Sequence, residues 1–342
     1  MVKIPFIGQA YNMDSADISS QKCVNMYPEV YKDQGTKVVM SLRQTAGTTV
    51  FSTLGNSFGV RGLYQTSGGR FFSARGNQLS ELDTGGNETT RLALTSGSTL
   101  ATNTIVRFAD NIDGLDVPRM LIADGNDGLV MKLSDNTSEP ITNYPGGSFV
   151  AFIDGYYIVN VPDTFEALFS DLDDPTTFGA NNTITKEGSP DFINGLIAHQ
   201  RRLWIFGEQS YEVHYNTGDT TLPFARIEGT YHNIGLHAPD SLASDGQSVY
   251  FVGGNASGFG QIYMTQGYDA IPISTIPIER DIQTFSSASN AEAFCYTQDG
   301  HNFYEVTFPD ADKTYVYDIT TGMWHQKSFR NPTSSVDERA RG

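Results

Sequence analysis

A short apolar segment recurs six times along this chain, and its spacing limits the folds available. It reads Phe71-Phe72-Ser73-Ala74-Arg75, Met120-Leu121-Ile122-Ala123-Asp124 and Tyr156-Tyr157-Ile158-Val159-Asn160. It returns as Leu203-Trp204-Ile205-Phe206-Gly207, Val249-Tyr250-Phe251-Val252-Gly253 and Phe303-Tyr304-Glu305-Val306. Successive starts lie about 46 residues apart on average, the length of one multi-stranded repeat unit. The period predicts an all-β fold, a propeller-like array of about six four-stranded blades.

Each unit has one grammar. An apolar strand leads through a hairpin turn into the recurring segment, and a Gly/Asn/Asp turn leads to a third strand. The hairpin turns read Asp154-Gly155, His199-Gln200-Arg201-Arg202, Asp245-Gly246-Gln247-Ser248 and Asp299-Gly300-His301-Asn302. Asp-Gly favours a type I′ turn because both central residues need positive φ. Third strands are expected at 79–82, 129–133, 165–170, 262–264 and 315–318, and weaker fourth strands at 91–94, 224–227, 271–273 and 324–327. One or two β-sandwiches would show similar turns, but they do not require a constant period.

Composition agrees. Among 342 residues there are 34 Gly, 17 Tyr and 21 Phe, and only 18% are charged. Two cysteines, Cys23 and Cys295, form neither a disulfide framework nor a zinc cage. The start, Met1-Val2-Lys3-Ile4-Pro5-Phe6-Ile7-Gly8, lacks an apolar core of signal-peptide length. No apolar run approaches a membrane span. The chain is expected to be made and kept in a cytoplasm.

The formal net charge is −17. Tight phosphate binding needs clustered Lys and Arg, and the longest basic run is Arg201-Arg202. Nucleic acid is expected to pass or abut this protein without being held tightly. An acidic surface also keeps a protein soluble.

Three segments fall outside the repeat. Residues 1–50 read as an N-terminal arm ending in a short strand; such an arm caps the array or reaches a neighbouring subunit. Residues 51–329 form the repeat array. Residues 330–342 read as a polar, strandless tail or the truncated start of a further unit. Within the array, Ile276–Phe285 places Ile278, Ile282 and Phe285 on one helical face, with Pro277 in the first turn. This is a short inserted helix, expected to pack on its own blade.

No nucleophile–base, metalloprotease, P-loop or dinucleotide motif occurs. His232 and His237 lie five apart, a poor ligand spacing. Acidic groups cluster at Asp110, Asp113 and Asp116, at Asp124 and Asp127, and at Asp171, Asp173 and Asp174. Carboxylate pairs could serve glycoside hydrolysis or hold Ca²⁺. Asp, Asn and Gly are equally what turns require, and Asp124-Gly125-Asn126-Asp127-Gly128 lacks the closing acid of a Ca²⁺ loop. The expectation is no catalytic, metal or cofactor residue, with Trp204 a core residue and not a ligand platform.

Three segments carry a resemblance: Cys23-Val24-Asn25-Met26-Tyr27-Pro28-Glu29, Leu42-Arg43-Gln44-Thr45-Ala46-Gly47, and Asn194 through Val213 with its Phe206-Gly207 and Ser210-Tyr211-Glu212. They are similar to the packaged-DNA stabilisation proteins of short-tailed bacteriophages, the tail hub or nozzle beneath the head–tail adaptor. The resemblance covers residues 20–330. It implies a virion protein, a homohexameric ring that closes the portal channel after packaging. Its implied partners are the head–tail adaptor above and the tail needle and tailspike or fibre proteins below. Members of that family run past the point where this sequence stops, so the last part of the propeller is expected to be absent. The family supplies no catalytic residues. The alternative reading is a soluble propeller that binds or hydrolyses glycans, with aromatics and carboxylates converging in one pocket.

Overall fold

The computed structural model describes residues 23–32, 38–52, 59–93, 104–111, 117–189, 191–255, 258–330 and 337–339. Asp113, Asp116 and residues 1–22 of the arm lie outside these. Six antiparallel sheets follow one another along the chain as the blades of a six-bladed β-propeller. The chain divides into two compact units, one of residues 49–233 and the other of the described residues on either side.

The first unit holds four blades. The first blade is Val60–Gln65, Phe71–Arg75, Gln78–Leu82 and Glu88–Ala93. The second is Arg107–Asp110, Arg119–Ala123, Gly128–Lys132 and Ser138–Glu139. The third is Val150–Ile153, Tyr156–Asn160, Glu166–Asp171 and Asp174–Thr185. The fourth is Ile193–His199, Arg202–Gly207, Tyr211–Asn216 and Phe224–Arg226. Each recurring segment is the second strand of its blade, so both its faces are covered. Side chains alternate along a strand. Met120 and Ile122 therefore pack with Phe72, Ala74 and Phe108 towards the first blade, while Leu121 packs with Tyr157 and Val159 of the third. Tyr156 and Ile158 turn the other way, onto Leu196, Leu203 and Ile205 of the fourth. Burial on both faces is why these strands read as continuous apolar runs.

The second unit holds the last two blades. In the fifth, the first strand is split. Gly235–Leu236 and Ala243–Ser244 both pair with Val249–Asn255, and a 3-10 turn at Pro239–Ser241 separates them. Gly258–Gln266 and Asp269–Pro272 complete that blade. The sixth is Glu292–Gln298, His301–Phe308, Lys313–Asp318 and Met323–Arg330. The expected strandless tail needs correction: Asp337–Arg339 forms a short fifth strand against Ser328–Arg330.

The inserted helix is Ile276–Gln283. Ile278 and Ile282 are buried in the core that joins Tyr250 and Ile262 to Tyr304 and Trp324. Phe285 packs at 5.1 Å, tilted, against Phe308, and Asp281 accepts from Lys313 and Tyr315. The helix packs on the blades that flank it in sequence.

All four expected hairpins turn where the sequence places them, three on two residues and one on four. Asp154-Gly155 and Asp299-Gly300 have positive φ at both residues, and each closes a two-residue hairpin. Gln200 and Arg201 do the same at φ 49° and 57° without a glycine. Asp245-Gly246 does not. Four residues separate the paired Ser244 and Val249, and the Asp245 carboxylate accepts the N–H groups of Gln247 and Ser248 at 2.9 and 2.7 Å.

Candidate functional site

The three segments that carry the family resemblance turn out to be two clamps. The first secures the arm. Cys23–Asn25 lies parallel to the outer strand of the sixth blade: Asn25 N–H donates to Gln326 O (2.8 Å) and Gln326 N–H to Cys23 O (2.9 Å). Asn25 has φ 55°, which turns its side chain onto the same strand. There its amide donates to Ser328 O and accepts from Ser328 N–H, both at 2.9 Å. Two residues on, Tyr27 is 1% exposed. Its ring lies 5.1 Å from His301 and 5.2 Å from Phe303, both edge-on, and 6.0 Å from His325.

The rest of the described arm is a hairpin of Met26–Lys32 and Val38–Gln44, where one short strand was expected. Arg43 binds Glu29 across it at 2.6 Å. The strand ends near the sixth blade because Thr45 N–H donates to Asn25 O at 3.0 Å. A cavity of about 720 Å³ lies beside it, lined by Gln44–Thr48, Phe294, Tyr296 and Phe329, with Glu305 and Lys327 paired at 2.6 Å.

The second clamp is Phe206-Gly207 with Ser210-Tyr211-Glu212. Lys186 is buried and bonds to Asp191, to Ser210 Oγ at 2.6 Å and to Ser189 O at 3.1 Å. Asp191 in turn accepts the N–H of Gln209 (2.8 Å) and Ser210 (3.1 Å) and the Ser210 hydroxyl (2.8 Å). Burial pushes the Asp191 carboxyl up, but Lys186 and these N–H donors outweigh it, so the group lies below its ordinary range. Gly207 is required because a Cβ there would sit 2.2 Å from Asp191 Oδ2. Glu212, wholly buried, accepts the N–H groups of Glu187 (3.0 Å) and Gly188 (2.9 Å) and shares a 2.7 Å bond with His214. The motif therefore fixes residues 186–188 and Asp191 to the third strand of its blade and the turn before it. Sequence reasoning recognised Ser210 and Glu212 as family landmarks but missed Lys186 and Asp191, whose partners lie about 20 residues away.

The acidic clusters are dispersed into turns. Asp110 accepts from Tyr64 OH and from Ser67 N–H and Oγ at 2.9 and 2.6 Å. Asp124 accepts the N–H groups of Asn126 and Asp127, both at 2.9 Å, and lies 3.6 Å from Arg61. Asp174 caps Thr176 at 2.9 Å, Asp171 accepts from Asn182, and Asp173 occupies a turn at φ 56°. The histidines pack on aromatics: His232 stacks on Tyr211 at 4.7 Å and His237 on Phe259 at 4.5 Å. Among the described residues no three His, Cys, Asp or Glu side chains converge as metal ligands. Trp204 is 2% exposed and stacks with Phe206 and Tyr211.

A family model described as "Bacteriophage P22 Gp10, beta-propeller" matches residues 2–330. The chain belongs to that phage stabilisation family. It is a phage structural protein by family. No curated protein matches the sequence. Among the solved structures that match, two illustrate the shared fold. Both are the extracellular domain of a B. thetaiotaomicron protein, described as a one-component system and as a hybrid two-component system. They align at TM-scores of 0.54 and 0.51 and at 13% and 12% identity, over 83% and 82% of this chain. The chain spans 37% of the length of each. No helix in the described residues is long and apolar enough to cross a membrane.

Proposed function

We propose that this protein is a tail hub or nozzle of a short-tailed phage. In this reading it assembles as a homohexameric ring, closes the portal channel once DNA is packaged, and joins the head–tail adaptor to the needle and spikes or fibres. The observation that carries the reading is the family match over residues 2–330. The arrangement of the described residues supports a platform without catalysis. The carboxylates of Asp110, Asp124, Asp171 and Asp174, considered for glycoside hydrolysis or Ca²⁺, accept from turn N–H groups or neighbouring side chains. A net charge of −17 supports DNA retention by obstruction, because phosphate is repelled.

The test is DNA retention. Phage particles assembled without this protein should package DNA and then lose it, and addition of the purified protein should restore the filled state. Particles that keep their DNA equally well without it would refute the stabilising role.

A further inference from the structure

The contact between the arm and the sixth blade contains a histidine that nothing else in the fold explains. His325 is 0% exposed, and neither ring nitrogen has a hydrogen-bond partner. It stands opposite Val316, 5.8 Å from the Phe303 ring, with Tyr27 over it from the arm at 6.0 Å. An apolar residue would fill that space equally well.

We propose that His325 makes the arm an acid-released latch, in which protonation of its imidazole favours the state with Tyr27 lifted off the sixth blade. A buried imidazolium requires an acceptor or counter-ion, and the carboxylates on this face are already engaged. On the second strand, Glu305 is held by Lys327 at 2.6 Å, and His301 by Asp318 of the third strand at 2.8 Å. Asp318 also accepts from Thr320 and Thr321. On the first strand, Tyr296 accepts from Lys327 at 2.8 Å. On its own strand, Lys327 adds a second positive charge. From the arm come Tyr27 and, across the hairpin, the mutually paired Glu29 and Arg43. His301 and its partner Asp318 both belong to the blade, so their bond survives arm release and does not drive it.

Burial first, and Lys327 second, push His325 down to about 3 from an ordinary 6.5. The sign follows from linkage. The closed state binds a proton later than the open one, so closure is at full strength above pH 6.5 and weakens as pH falls towards 3. Between pH 7 and pH 5 the opening constant should rise by about 25-fold. Release also bares the backbone N–H and C=O of Gln326, which the arm covers in the closed state.

Hydrogen exchange of the full-length protein tests this. Protection of the Asn25 amide, which donates to Gln326 O, corrected for the intrinsic pH dependence, should fall by about 25-fold from pH 7 to pH 5 in the wild type and stay constant in His325→Phe. Equal pH dependence in the two proteins, or none in the wild type, would overturn the proposal. If His325→Phe does not fold, the ring resonances of His325 in the wild type decide. Titration near pH 6.5 with the arm still protected contradicts the latch. A neutral ring for as long as the arm is protected supports it.

Discussion

Asn25 grips Ser328 through both of its side-chain amide atoms, 303 residues apart in sequence, and so the start of the described chain is sewn to the outer edge of the last blade. The side chain imitates a strand residue: one donor and one acceptor face one N–H and one C=O. Asn also tolerates the left-handed φ of 55° that aims it there.

Asn25→Ala should therefore cost about 1–3 kcal/mol, from the unpaired Ser328 groups and the left-handed backbone. Urea unfolding of the full chain measures it. Asn25→Gly keeps the backbone conformation and loses only the amide, so it should be milder than Asn25→Ala. Equal stability of all three proteins would mean that the clamp contributes nothing.

The arm also sets where a truncation can be made. Removing residues 1–22 spares the contacts of Cys23, Asn25 and Tyr27, whereas removing residues 1–30 takes Tyr27 out of the cluster it forms with Phe303 and Val316. The longer deletion should lower the melting temperature more than the shorter one. Identical melting would show that the sixth blade does not need the arm.

The second clamp gives a paired test. Lys186→Met leaves the partly buried Asp191 carboxylate without its cation but with the Gln209 and Ser210 donors, and should cost about 1–3 kcal/mol. Gly207→Ala forces a Cβ against the same carboxylate and should cost about 1–3 kcal/mol. Gly59→Ala meets nothing within 4 Å and should be neutral. Because both damaging changes act on Asp191, the double variant Lys186→Met/Gly207→Ala should lose less than the sum of the two.

Glu81 supplies an acid signature. The hydrogen bond from Arg70 is the largest influence on it; burial opposes this and Arg91 adds to it, and the carboxyl falls to about 2 from 4.5. A depressed carboxyl stabilises the fold above its unfolded value and loses that contribution as pH falls through its folded value. Comparing wild type with Glu81→Gln, the stability difference should be constant above pH 5 and shrink between about pH 4.5 and pH 2. A difference independent of pH over that window would show that Glu81 is not held as a carboxylate.

Much of this was legible in the sequence, for identifiable reasons. The second strands announced themselves because a blade is covered on both faces, so Met120–Ala123 and Leu203–Phe206 show no polar alternation. The strand Asp174–Thr185 was missed: Asn181, Asn182 and Gly179 give it no apolar period, and its register is interrupted after Leu168 and Ser170 of its partner. The split first strand of the fifth blade was hidden by Pro239. The clamps were readable as motifs and not as mechanisms, because Asn25 with Ser328 and Lys186 with Ser210 are pairings that sequence spacing does not encode.

Trp204→Ala separates a core residue from a binding platform. Its ring is buried beside Phe206 and Tyr211, so truncation should cost ~3–5 kcal/mol. Unchanged thermal stability together with loss of partner binding would contradict this.

The mass of the purified particle in solution, measured alone and with a phage head–tail adaptor ring, tests the central claim most directly. The account predicts a ring of six copies joined to the adaptor, with no tight binding of duplex DNA at physiological salt. A chain that stays monomeric in both conditions, or that binds duplex DNA at nanomolar concentration, would contradict it.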